Sequence, residues 1–175
     1  MAKNRMPLVE VVLFGILGAL TFGAKVVMAP LPNIEPVSLM VMLFAVVFGL
    51  KGLYPVFIYV MLEILVYGLG TWNVMYLYVW PLLAIVAFLL RKMRHPLTWA
   101  MLSGVFGLLF GLLCSPVDMF IGGLGYAMSK WSMGVMFDIF HCIGNFVIAL
   151  LAFVPLRKLL TQLYREKLPR KYRNC

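Results

Sequence analysis

Acidic residues are scarce in this chain: six in 175 positions, against fifteen Lys and Arg. Charge of either sign makes up 12% of the sequence and apolar residues 64%, which leaves too few polar side chains to coat a soluble globule of this size. A separate soluble domain is therefore excluded. The three cysteines, Cys114, Cys142 and Cys175, are an odd number without metal-ligand spacing, so neither a disulfide framework nor a zinc site is indicated. Catalytic signatures are missing too. No G-x-x-x-x-G-K-[ST] phosphate loop occurs, which excludes ATP hydrolysis by that machinery, and there is no H-E-x-x-H, no CxxC pair and no serine in a G-x-S-x-G elbow. Catalysis and a bound cofactor have no support, and the chain lacks the two matching halves with broken helices that point to a self-sufficient secondary transporter.

Long apolar runs are what the sequence does have. At ~20 residues per crossing, they predict an all-α integral membrane protein, a single domain over 1–175 with six transmembrane helices at about 7–28, 36–50, 53–69, 74–90, 97–114 and 131–156, followed by a basic tail at 157–175. Lys3 and Arg5, Lys51, Arg91, Lys92 and Arg94, and the tail from Arg157 to Arg173 all fall on one side of that layout. By the positive-inside rule this side is cytoplasmic and holds both termini. Lys25 and Lys130 remain near the other face. The net charge of +9 is thus read as a topology anchor on anionic lipid, since nucleic-acid contact would want a folded module. The basic start and first apolar run read as a helix and not a signal peptide, because five more spans follow without a small-residue cleavage site before them.

Several polar residues interrupt these runs. Asp138, His141 and Asn145 are spaced i, i+3, i+7 in the last span and share one helical face. An ionisable group at membrane depth costs ~2.5–3.5 kcal/mol, so such a face is turned into a protein interior or a wet cavity. The bland alternative for His141 is a histidine satisfied by Asp138 or a carbonyl. Asn33 and Glu35 lie in an outer loop marked by Pro30, Pro32 and Pro36. Glu63 sits among apolar neighbours, as a structural hydrogen-bond partner or a site residue. Trp72, Tyr76 and Trp80 recur every four residues beside Asn73, either as an interfacial belt or as a stacking wall for a planar ligand, and Pro81 predicts a kink. In the stretch 115–131, Ser115, Pro116 and Asp118 predict a short capped outer helix ended by Gly122, Gly123 and Gly125, a lid or a surface turn. Gly15, Ala19 and Gly23 form a small-residue stripe in the first span, suited to close packing within the chain or against a partner.

With these features the chain resembles the substrate-binding S component of an energy-coupling factor (ECF) vitamin transporter. The resemblance covers nearly the whole length and is carried by LPNIEPVSLMVMLFAVVFG, YGLGTWNVMYLYVWPLL and FDIFHCIGNFVIALL. It implies a plasma-membrane subunit that binds a vitamin-like small molecule at the outer face and works with a transmembrane coupling protein and two ATPase subunits. The coupling contact would fall on Gly15, Ala19 and Gly23, and the substrate contacts on Trp72, Asn73, Tyr76, Trp80, Asp118, Asp138, His141 and Asn145, beside the outer-loop Asn33 and Glu35. Two other readings stay open from the residues: a scaffold that assembles proteins through its glycine stripes, and a proton-coupled transporter using Glu63 or His141.

Overall fold

The computed structural model describes residues 6–30 and 34–167, and among these the regular structure is entirely helical. Helix α1, Leu8–Met28, starts directly after Pro7, whose fixed φ suits a helix entry. It buries Glu10, Phe14, Leu17, Gly18 and Thr21, a single stripe at helical spacing. The Gly18 backbone lies so close to Pro55 and Ile58 that a Cβ there would stand 2.6 Å from the Ile58 side chain. Gly15 and Gly23 have open space instead, and Ala19 is exposed, so that face of α1 is left uncovered.

Helix α2, Val37–Phe48, has 12 residues and is buried over most of its length. At 1.5 Å per residue it is ~18 Å long, too short to cross a ~30 Å hydrocarbon layer by itself. Gly49, at φ 64°, opens a 3-10 turn at Gly49–Gly52 that leads into α3, Leu53–Tyr67. Helix α4, Thr71–Leu89, continues through Pro81. It starts three residues earlier than the sequence suggests because the Asn73 side chain accepts the Gly70 N–H at 2.7 Å and closes its first turn. Helix α5, Pro96–Leu108, is capped by His95, whose Nδ1 accepts the Leu97 N–H at 3.3 Å. His95 remains exposed while it caps the helix.

The last element, α6, is Phe110–Lys167, broken at Gly123 by φ 78° and ψ 178°. That backbone region is essentially reserved for glycine. The arms 110–122 and 124–167 fold back on each other. Gly111 meets Asp138, Asp118 pairs with Lys130 at 2.7 Å, and across the α5 contact Gly107 lies against His141. The expected short outer helix and flexible glycine segment is therefore corrected: helix persists on both sides of Gly123, and Ser115 does not cap but donates to the Gly111 carbonyl at 3.0 Å. That internal bond and antiparallel packing against the return arm keep the stretch helical although Pro116 removes one backbone donor.

α5 packs chiefly on α6, α1 on α3, and α2 on both α4 and α6, which makes α2 the central element. Among the described residues, four stretches are long and apolar enough to cross a membrane: Leu8–Met28, Val37–Tyr67, Thr71–Leu89 and Pro96–Glu166. The second is interrupted at Gly49 and the fourth at Gly123. The end of the bundle that carries the basic residues is tied by Glu10, which is 2% exposed and accepts Lys51 Nζ at 2.8 Å and the Tyr164 hydroxyl at 2.6 Å. Arg157 donates to the carbonyls of Met93 and Arg91 at 2.8 and 2.9 Å, closing the α4–α5 turn onto α6.

The break at Gly123 generates a stability prediction. Gly123→Ala should lower the thermal stability of the detergent-purified protein by about 1–3 kcal/mol. Gly125→Ala, where a Cβ meets nothing within 4 Å and the backbone is helical, should leave it nearly unchanged.

Candidate binding site

The shortness of α2 positions the site. Because the helix begins below the end of the bundle, the linker residues before it run inward: a Cβ on Gly144 would lie 3.0 Å from Ile34 Cγ1. Irregular backbone at such depth is tolerated where protein buries it or where it lines a cavity. Glu35, half-buried on this linker, comes within electrostatic range of Lys25 on α1, Glu63 and Tyr59 on α3, and Tyr76 on α4.

Lys25 and Glu63 form the polar centre of this region. Lys25 Nζ donates to Glu63 Oε2 at 2.8 Å, and Glu63 is 1% exposed. The same ammonium stands 5.4 Å from the ring centre of Tyr76 and 5.9 Å from that of Tyr59, within cation–π range of both. Tyr59 and Glu63 reach the same place because they are one helical turn apart on α3. Beside the pair, Lys25, Val26, Ala29, Glu63, Tyr67 and Trp72 line an open cleft of about 460 Å³, within the usual size for a small-molecule site.

A continuous aromatic path leads from this cleft across the bundle. Tyr59 and Tyr76 lie 6.3 Å apart, Tyr76 and Trp80 5.5 Å, Trp80 and Phe110 5.5 Å, and Phe110 meets the His141 ring edge-on at 4.9 Å. Phe106 packs on Trp80 at 5.7 Å. Along this path the Tyr59 hydroxyl, Glu63 Oε1, Trp80 Nε1 and His141 Nε2 are buried without a hydrogen-bond partner among the described residues. Each such atom costs about 1–3 kcal/mol if left so, and native proteins carry few of them. Several within one region are what a polar ligand would satisfy.

The residues singled out in the sequence fall into separate places. Glu35, Tyr76, Trp80 and His141 belong to the aromatic path or its polar end, and Trp72, 42% exposed, lines the cleft. Asn73 is engaged in capping α4 through its carbonyl oxygen, with Nδ2 left unpartnered. Asp118 is paired with Lys130 beside the break in α6. Asp138 Oδ1 accepts the Gly111 N–H at 3.0 Å, supplying a partner to a first-turn donor of α6 that has none within its own helix, while Oδ2 is unpartnered. Asn145 is largely committed to packing: Nδ2 donates to Ser38 Oγ at 3.0 Å and to the Ser103 carbonyl at 3.4 Å, joining α2, α5 and α6. Asn33 lies outside the described residues. Asp138, His141 and Asn145 share a helical face, yet that face meets three different partners. Sequence reasoning did not select Lys25 or Tyr59. The signal for Lys25 was its isolation as one of two cations away from the basic side, and for Tyr59 its one-turn spacing from Glu63.

No protein family, characterised protein or solved structure matches this chain.

Asn145→Ala should lower thermal stability by about 1–3 kcal/mol, because it removes the partner of Ser38 in a buried setting. Trp72→Ala, at the exposed rim of the cleft, should change thermal stability much less. Thermal unfolding of the two variants in the same detergent makes the comparison.

Proposed function

We propose that the protein is a substrate-binding membrane subunit that captures a small aromatic or heterocyclic micronutrient at the outer face, as the S component of an ECF-type importer. The observation that carries this reading is the set of buried polar atoms on Tyr59, Glu63, Trp80 and His141 without partners among the described residues, joined by rings in mostly edge-on and tilted contact, beside an open cleft of about 460 Å³. Aromatic faces would hold a planar ligand, and the unpartnered atoms would fix its polar edge. The resemblance of the three segments around Glu35, Tyr76 and His141 to S components supports the same assignment. In this reading the chain crosses the plasma membrane six times with both termini cytoplasmic. The basic end, with Lys51, Arg91, Arg94 and Arg157, faces the anionic inner leaflet.

The chain supplies binding and no energy. It carries no phosphate loop, so uptake would need a separate coupling protein and two ATPase subunits. The uncovered face of α1 at Gly15, Ala19 and Gly23 would receive the coupling protein, since small residues let a second helix approach closely.

Native mass spectrometry of the protein purified from rich medium in mild detergent is expected to show a retained small molecule, and Trp80→Ala should lose it. Absence of any bound mass, together with no thermal shift from a panel of vitamins and their precursors, would move a scaffolding role ahead. Asp138→Ala, which removes the half-satisfied carboxylate near His141, should weaken ligand binding about tenfold, the loss of one charged hydrogen bond, in protein that still elutes as a folded species. Unchanged affinity would take Asp138 out of the site.

A further inference from the structure

Resting on the binding reading above, we propose that the ligand is an organic cation, a flat ring carrying positive charge, which takes the place that Lys25 Nζ occupies between Glu63 and the faces of Tyr59 and Tyr76.

Around this point stand two carboxylates, Glu35 and Glu63, and one ammonium, Lys25. Burial pushes the Glu35 carboxyl toward its neutral form, so the charge of the place is set by Glu63, which holds Lys25 through Oε2 and leaves Oε1 over. An anionic ligand would set like charge against Glu63, whereas a cation would meet its free oxygen.

The second observation is the setting of Lys25. Its ammonium sits within 6 Å of two tyrosine ring centres, the arrangement used to recognise ligand cations. Lys25 is half-buried at the edge of the open cleft, and its long flexible stem allows the head to swing out toward solvent. It therefore acts as a tethered cation that can be displaced. The Tyr59 hydroxyl and Glu63 Oε1, each on a residue at most 1% exposed and each without a partner, remain to be satisfied by the incoming group.

The test uses the full chain purified in mild detergent and one ring in three charge states: 1-methylnicotinamide, a cation; nicotinamide, neutral; and nicotinate, an anion. Binding is read by isothermal titration and by tryptophan fluorescence. The cation should half-saturate at about tenfold lower concentration than the neutral ring, the size of one desolvated cation–π contact, and nicotinate should bind weakest. Lys25→Met should tighten cation binding, and Glu35→Gln should narrow the margin by which the cation is preferred over the neutral ring. Glu35 is on a linker and half-buried, so the second variant keeps the test open if the first does not fold. Equal or better binding of nicotinamide or nicotinate overturns the charge assignment and leaves the binding-subunit reading standing. If the small rings bind too weakly to rank, the retained mass in native mass spectrometry decides: a cationic species supports the proposal and a neutral or anionic one overturns it. No retained mass and no binding of any probe overturns both readings together.

Discussion

A carboxylate inside an apolar helical bundle must find a partner, and the arrangement of this chain follows from that constraint. Removing an ion from water costs several kcal/mol even after relaxation, so each buried acid here is met by a cation or a backbone donor from another part of the chain. Glu63 takes Lys25, Glu10 takes Lys51 and Tyr164, Asp118 takes Lys130, and Asp138 takes the Gly111 N–H. These pairings link α1 to α3, α1 to the Gly49–Gly52 turn and the far end of α6, and the two arms of α6 to each other. Apolar surface alone would specify the register of such helices poorly, since one leucine-rich face fits another in many ways. A misplaced carboxylate is penalised in every other register, which is how a few polar residues select one packing.

The two ends of the bundle use this constraint differently. At the basic end both Glu10 oxygens are engaged, and Arg157 ties down the carbonyls of Arg91 and Met93. That end is cross-linked by these contacts, with Trp99 Nε1 the buried polar atom left over there. At the other end the accounting is incomplete: Glu63 has one oxygen engaged and one free, Tyr59, Trp80 and His141 have no partner for their polar atoms, and Glu35 adds a carboxylate. Here the linker before α2 packs Ile34 against Gly144 of α6 and leaves Glu35 half-buried. Rings at contact distances wall the region, so it is rigid and apolar apart from the few atoms that lack partners. Such a combination suits recognition better than stability, for each unsatisfied atom lowers stability until something binds.

Much of the architecture was legible in the chain itself. Apolar runs separated by Gly, Pro and basic residues announce helices in a membrane-like solvent, because backbone groups in hydrocarbon must be satisfied within their own segment. The helical spacing of Trp72, Tyr76 and Trp80 anticipated rings that share a side of α4, and two of them do join the aromatic path. The stretch from Ser115 to Trp131 was misread, since local signals such as Pro116 and three glycines describe what a segment would do in isolation. Antiparallel packing of the α6 arms and the Asp118–Lys130 pair hold it helical up to a reversal at the single residue Gly123.

The sequence by itself determined that the protein is helical and apolar, where its polar residues sit along the helices, and which end of the bundle is basic; these are consequences of composition and of the 3.6-residue period. Tertiary structure decided which polar residues are committed to packing and which are left over. Asn145 and Asp138 lie on the same face as His141, yet Asn145 Nδ2 is bound to Ser38, 107 positions away, and Asp138 Oδ1 to Gly111, with the other oxygen of each left over. Lys25 and Tyr59, unremarkable in the chain, meet Glu63 at the centre of the site. Periodicity fixes direction within one helix but carries no information on which helix stands opposite, and a hydrogen bond depends on both.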